Sequence, residues 1–443
     1  MSTPSASPAP ERDAAAATPS GYLARGTPAL RRAQWALFAA GFSTFSLLYC
    51  VQPLMPLFTR AFNVSPAQSS LVLSLCTGLL AIAIFFVGLF SQALPRKRIM
   101  ALSLFASAVL GTIAAVAPDW HSLLALRALQ GVAMGGVPAV AMAYLAEEVE
   151  PGTLGFAMGL YIGGSAFGGL SGRVITGLVS DHFGWRAALG AVGLMGIAAA
   201  VLFVWLLPPS RRFAAQRGRG WAGVWGDVRA GAGAHLKNGP LCGLFAMGGL
   251  LMGAFVTVYN YVGFRLLLPP FSLSQTFIGF IFVVYLVGIF ASTYFGRLAD
   301  RHGRGAMLSA ATGLALAGLL LTLSDSLPIL IAGIVVFTFG FFAAHAVASG
   351  WVGQMARGYK ALAASLYLLV YYVGSSVLGS LGGHFWTVGQ WQGVAAMAGG
   401  LLALALAISG GLAWRTGRAQ RADPAAGRPQ GDTAVRGGQA ARP

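Results

Sequence analysis

Two arginines of this 443-residue chain, Arg127 and Arg173, stand inside long apolar stretches. A guanidinium buried among apolar groups is costly, so such a residue needs a physical reason. Gln130 follows Arg127 at i+3, on the same helical face. The pair could bind an anionic group or relay a proton movement. Equally, Arg127 could be structural, satisfied by backbone carbonyls and neighbouring helices. Arg173 could reach water at a helix end, or pair with Asp181, which follows in the next turn of chain. Gln52, Tyr259, Asn260 and Tyr261 are polar handles in otherwise apolar runs, as are Tyr49, Tyr371 and Tyr372. Rings bearing hydroxyls suit flat or amphipathic ligands; such rings also anchor helices at interfaces. His345 could titrate near neutral pH or serve as a hydrogen-bonded structural histidine. The twelve acids all fall outside the middle of the apolar runs. Proton exchange through a carboxylate therefore lacks its obvious residue, and Asp181, Glu147, Glu148 and His345 remain as candidates. One charged turn, Gly296-Arg297-Leu298-Ala299-Asp300-Arg301-His302-Gly303-Arg304, separates two apolar segments.

The elements that position these residues follow from composition. The chain is 56% hydrophobic and 9% charged, against roughly 25% charged in soluble proteins. This implies an all-α polytopic membrane protein. Apolar runs of about 20 residues each suffice to span a bilayer. They lie near 33–58, 69–90, 99–117, 121–146, 153–180, 186–207, 240–263, 275–296, 305–323, 327–350, 361–383 and 390–413. These are about twelve helices. If both termini are cytoplasmic, 24 of the 29 Lys and Arg residues fall on that side, as the positive-inside bias requires. The net charge of +17 then reports orientation in a lipid bilayer, with no soluble domain to bind nucleic acid.

Phosphate loops, H-E-x-x-H, C-x-x-C and G-x-S-x-G are absent, so no enzyme, cofactor or metal is expected. Cys50, Cys76 and Cys242 lie scattered in apolar segments, as small core residues do.

Residues 1–30 read as a disordered cytoplasmic tail, 31–207 and 240–414 as two six-helix bundles, 208–239 as a cytoplasmic linker and 415–443 as a second tail. An internal repeat supports this division. Tyr161-Ile162-Gly163-Gly164-Ser165-Ala166-Phe167-Gly168-Gly169-Leu170-Ser171-Gly172 aligns without gaps on Tyr372-Val373-Gly374-Ser375-Ser376-Val377-Leu378-Gly379-Ser380-Leu381-Gly382-Gly383. Both copies have the same topology, so they would be related by an axis along the membrane normal. The glycines of helix five serve close helix contact, and they could also form a seam that opens and shuts.

Gly296, Leu298, Asp300, Arg301, Gly303 and Arg304 fit the loop pattern G-x-L-x-D-R-x-G-R. With Arg127, Gln130 and Gly131 (R-x-x-Q-G) and the glycine-rich fifth helix, the chain resembles the major facilitator superfamily over all but its tails. The earlier copy of the turn keeps Gly88, Arg96 and Lys97 but has Gln92, Ala93 and Pro95 where Asp, Arg and Gly are usual. Gln52-Pro53-Leu54-Met55-Pro56, Tyr259-Asn260-Tyr261 and 340–353 resemble the YnfM-type branch of bacterial inner-membrane drug and metabolite exporters.

The resemblance implies a monomeric secondary transporter of the bacterial inner membrane. It would work by alternating access, as an exporter of a small molecule with the proton as coupling ion. A facilitator or importer is the first rival, and a membrane sensor that moves nothing the second. The resemblance also places Gln52, Arg127, Gln130, Tyr259, Asn260 and His345 at the substrate cavity. Coupling or gating would fall to Arg173, Asp181, Glu147, Glu148, Gly296, Asp300, Arg301, Gly303 and Arg304, with the turn acting as a latch on the cytoplasmic side.

Overall fold

The computed structural model describes residues 22–90, 95–210, 221–356 and 358–422. Most of both expected tails, and Gln92 and Ala93 of the first turn copy, lie outside the described residues.

The first span is two helices, α1 (Pro28–Tyr49) and α2 (Met55–Phe62). Thr27 caps the first, its hydroxyl accepting from Leu30 N–H with Pro28 in the opening turn. The sequence predicts one continuous span here, and the structure breaks it. Pro53 has no N–H to continue the ladder, and the chain turns through Gln52 N–H→Tyr49 C=O and Leu54 N–H→Val51 C=O bonds, 3.1 and 3.0 Å.

Next come α3 (Pro66–Phe90) and α4 (Arg96–Ala114), then a fourth span made of α5 (Trp120–Met134) and α6 (Gly136–Glu148). Pro138 cannot donate to the Met134 carbonyl, which accounts for that second interruption. Asp119 caps α5; the Ser122 hydroxyl and N–H hold its carboxyl below the usual range.

The fifth and sixth spans form one element, α7 (Pro151–Leu206), folded back at Gly184 with φ +78°. That left-handed backbone is open to glycine at little cost. The linker expected over 208–239 contains a helix, α8 (Trp221–Leu236). Its Gly231 sits against Tyr359 and Leu362, and its Trp225 ring lies 6.4 Å from Phe86.

The second half runs α9 (Gly239–Leu267), α10 (Gln275–Ile281), a 3-10 turn at Phe282–Val284, α11 (Tyr285–His302), α12 (Arg304–Leu321), α13 (Leu327–Met355) and α14 (Lys360–Ala422). The last folds back at Gly389 and Gln390. Among the described residues nine helices are long and apolar enough to cross a membrane. Two of those are folded double spans, and α1 with α2 supplies the twelfth crossing.

Small residues set the helix spacing. A Cβ on Gly172 would fall 2.6 Å from the Ser46 carbonyl oxygen, and Ser46 Oγ donates to Gly168 C=O at 2.8 Å. Gly164 and Gly168 likewise meet the α1 backbone at Phe38 and Phe42. Gly164, Gly168 and Gly172 therefore fasten α7 to α1 within one half. Gly374 plays the matching part against Gly249 of α9.

The broken first span leaves carbonyls without helical donors, and Arg127 takes them. Its guanidinium donates to Leu47 C=O (3.0 Å), Leu48 C=O (2.8 Å) and Val72 C=O (2.9 Å), and to Gln130 Oε1. Gln130 Nε2 in turn donates to Ser107 C=O at 2.8 Å. Thr176 Oγ1 donates to Cys50 C=O at 2.9 Å. Arg127 and Gln130, expected at a cavity, are 1% and 0% exposed inside the first half, and every polar atom of both has a hydrogen-bond partner there. They staple three helices around the break. Removing such a buried charged donor costs on the order of 3 kcal/mol. Arg127→Met is therefore expected to lower the thermal unfolding temperature of the detergent-solubilised protein clearly, and an unchanged temperature would refute the staple.

Candidate functional site

The break in α1–α2 aims Gln52 at the other half. Its amide bridges two partners: Arg173 Nε donates to Gln52 Oε1 at 2.7 Å, and Gln52 Nε2 donates to Asn260 Oδ1 at 2.9 Å. An arginine can only donate, so it fixes which end of the Gln52 amide faces it. That fixes Asn260 as well, leaving Asn260 Nδ2 buried without a partner. Asn260 is on α9, Gln52 and Arg173 in the first half; the chain of bonds crosses from one half to the other.

Arg173 also donates to Gly169 C=O at 2.6 Å and to Tyr285 Oη at 3.3 Å. Three rings enclose its guanidinium: Tyr49, Tyr285 and Phe282, at 4.2, 4.6 and 4.7 Å from ring centre to Cζ. Cation–π contacts of this kind strengthen when desolvated. The 3-10 turn at Phe282–Val284 is where the eighth span passes Arg173, so interrupted helices from both halves meet at the guanidinium. Tyr259 completes the second-half wall. Thr338 Oγ1 donates to Ile334 C=O, so the Tyr259 hydroxyl donates to Thr338 at 2.6 Å. Among the described residues neither Arg173 nor Arg127 pairs with a carboxylate.

Below this cluster a second aromatic group forms around His345. Its Nδ1 lies 2.9 Å from Tyr367 Oη, and its ring lies 4.7 Å from Tyr371 and 6.1 Å from Phe341. Tyr371 also packs edge-on against Tyr372, with ring centres 5.2 Å apart.

The seam between halves is sealed towards one end. A Cβ on Gly177 would fall 2.7 Å from Gly279 Cα. Asp181 Oδ2 accepts from Thr276 Oγ1 at 2.7 Å. Asp181 thus closes the seam with Thr276 instead of pairing with Arg173, which has turned inward. Ser376 Oγ donates to Ser74 C=O, and Ser380 Oγ to Ser74 Oγ, both at 2.6 Å. Towards the other end, which carries Arg96, Arg301 and Arg304, the halves part. There a Cβ at Gly155, Gly159 or Gly296 would meet nothing within 4 Å, unlike the close approach of Gly177 and Gly279.

At that basic end Asp300 and Arg304 pair with each other at 2.8 Å across the turn from α11 to α12, where Gly303 has φ +89°. Arg301 is exposed. Among the described residues the turn's hydrogen bonds and ion pair stay within one half. In the earlier copy Arg96 pairs with Glu147 of α6 at 2.8 Å, replacing the missing acid by one from another helix. Glu148 is buried, and its carbonyl accepts from Leu23 N–H at 2.7 Å. Of the expected binding residues, Gln52, Asn260 and Tyr259 come together, joined by Arg173 from the gate group; His345 lies in the adjoining cluster. Sequence reasoning misses Tyr285, Phe282 and Tyr367. An aromatic pair at i, i+3 is the available signal for Phe282 and Tyr285, but an apolar span does not show which face turns inward.

Comparison with known proteins agrees with this architecture. The profile of the Major Facilitator Superfamily matches residues 37–271 and 250–437. The chain belongs to the Major Facilitator Superfamily. It is 47% identical over 392 residues to an uncharacterized MFS-type transporter, YybF, of Bacillus subtilis, covering 88% of this chain and 96% of that one. It is 42% identical over 390 residues to the inner membrane transport protein YnfM of Escherichia coli, covering 88% and 92%. Among solved structures, a bacterial homologue of the lysosomal transporter Spinster, inward-facing and occupied, superposes with a TM-score of 0.69 at 14% identity, covering 88% and 97%. The nucleoside transporter NupG gives 0.67 at 14%, covering 86% and 98%. The protein is a multi-pass membrane transporter, not an enzyme.

The two ion pairs of the basic end differ in strength. The transporter's Asp300–Arg304 pair is an exposed i, i+4 contact, contributing about 0.3–0.5 kcal/mol. Arg96–Glu147 joins two helices, with side chains only 8 and 30% exposed. Glu147→Gln is therefore expected to lower the thermal unfolding temperature more than Asp300→Asn; the reverse order would show that the turn is the stronger brace.

Proposed function

We propose that this transporter moves a small molecule by alternating access, binding it between the two halves beside Arg173, Gln52 and Asn260. The basic end, with both termini, faces the cytoplasm of a bacterial inner membrane, and the molecule works as a monomer. The observation that carries the reading is the bonded bridge between halves, with the seam closed on one side of it and open on the other. Two halves related by a parallel repeat can rock about such a point. The state described is then open to the cytoplasm.

Export in exchange for protons is the direction and coupling that the family resemblance favours. One observation favours the second reading, a facilitator or importer: among the described residues no carboxylate contacts the central cluster, and arginine keeps its charge at any working pH. His345 is the remaining candidate for a moving proton. Purified protein in vesicles, assayed over a compound panel with and without an imposed pH gradient, separates the two. Gradient-dependent flux that His345→Gln abolishes supports coupling through that residue; flux indifferent to the gradient supports the facilitator.

Alternating access can be tested without knowing the substrate. Gly177→Leu cannot coexist with the Gly177–Gly279 approach, so it drives the sealed side open and the basic side shut. A cysteine at Ile162→Cys, with Cys50, Cys76 and Cys242 replaced, reports the basic side by its labelling rate. A population shift of about 1.4 kcal/mol or more slows that labelling about tenfold or beyond. A disulfide between Asp181→Cys and Thr276→Cys locks the described state and keeps labelling fast. Labelling indifferent to both changes would remove the rocking motion.

A further inference from the structure

The two buried arginines differ in what they have left to give. Arg127 has four of its five donors engaged, by three carbonyls and an amide oxygen, all within the first half. Arg173 offers five N–H donors, of which three have partners: an amide oxygen, one carbonyl and a tyrosine hydroxyl at 3.3 Å. None of those partners is charged. A buried guanidinium without a counter-charge is expensive, and rings offset that only in part. Asn260 adds a second unused donor, since its Nδ2 is buried without an acceptor and its residue is 1% exposed. The two are linked through Gln52, so both unused donor groups belong to one cluster at the meeting of the halves. Tyr49 and Tyr285 turn ring faces to it, and Tyr371 stands in the adjoining His345 cluster, each of the three only partly buried.

We propose that the transported molecule is an organic anion, a carboxylate on a flat body, for which Arg173 supplies the counter-charge and Asn260 a further donor. The inference rests on the alternating-access reading above. Planar guanidinium and carboxylate match as two parallel hydrogen bonds. The flat body stacks on the tyrosine rings. When the anion arrives it gives Arg173 the charge that no described side chain provides, and it draws on donors shared by both halves, so binding bears on their relative position. A cation of the same shape would meet a like charge in a poorly solvated space.

The test uses the full-length protein in detergent and three matched sets of small probes. Benzoate is compared with benzamide and benzylammonium, and the naphthalene and cyclohexane counterparts repeat the comparison. Thermal stabilisation and equilibrium dialysis are the readouts. The carboxylates are expected to raise the unfolding temperature and to bind at least about tenfold tighter than their amides, the contribution of one charge-assisted bond. Benzylammonium is expected to do nothing. Arg173→Gln should abolish the preference. Gln52→Glu is the second variant: it keeps the shape, sets a carboxylate against Arg173 and so supplies the counter-charge internally. It should hold or raise thermal stability and still lose carboxylate binding by about tenfold or more.

Amides or ammonium compounds that bind as well as the carboxylates would overturn the anion assignment. So would a panel in which no carboxylate stabilises the protein, or a Gln52→Glu variant that binds carboxylates unchanged. The Ile162→Cys labelling result stands apart from all of these. If labelling responds to Gly177→Leu while the carboxylates fail, the transporter reading survives and the anion class falls; if labelling does not respond, the transporter reading fails first.

Discussion

The break in the first membrane helix is the constraint on which the rest depends. A proline at position 53 removes one donor from the ladder, and the chain turns through residues 50–54 with its carbonyls exposed to an apolar interior. Unpaired carbonyls there would cost several kcal/mol in lipid. Arg127 and Thr176 reach in from the fourth and fifth spans and satisfy them. The break is therefore held by two other spans at once, and it presents Gln52 to the second half as a fixed hydrogen-bonding plate. Everything central to the molecule hangs on that plate: Arg173 on one side, Asn260 on the other.

The two arginines look alike in the sequence and do opposite work. One is consumed in construction. The other is held by neutral oxygens and ring faces at the meeting of the halves, where a conformational change would alter its surroundings. Charge asymmetry of this kind is what an alternating-access protein can use, since a ligand shifts the balance of states only by binding them unequally. The glycines divide in the same way. Gly164, Gly168 and Gly172 fasten α7 to α1 inside a half, whereas Gly177, further along the same span, meets Gly279 of the other half.

The charged turn between α11 and α12 reads most clearly of all the motifs, and it led to the family. In the described state it is a local brace, with Asp300 held by Arg304 four residues on. The degenerate copy has its own solution in Arg96 and Glu147. Losing the acid of the motif did not leave the cation unpaired, because a neighbouring helix end supplied another. A motif thus fixes a turn more reliably than it fixes the partners of each residue in it.

Twelve crossings, two halves of like topology and the basic bias at one end were all legible in the chain, because bilayer thickness, chain periodicity and loop charge act over short stretches of sequence. The same local logic put Gln52, Asn260 and Tyr259 among the candidates: polar groups in apolar runs are conspicuous. What the sequence could not decide was where each buried arginine finds its acceptors. The donors are local, but the acceptors are main-chain carbonyls and amide oxygens that come from positions 55, 80 and 121 residues away. A carbonyl is present at every residue and carries no sequence signal. Only the packing of α1, α3, α5 and α7 brings those acceptors within reach, and it engages Arg127 inside the first half while Arg173 stands at the meeting of the halves.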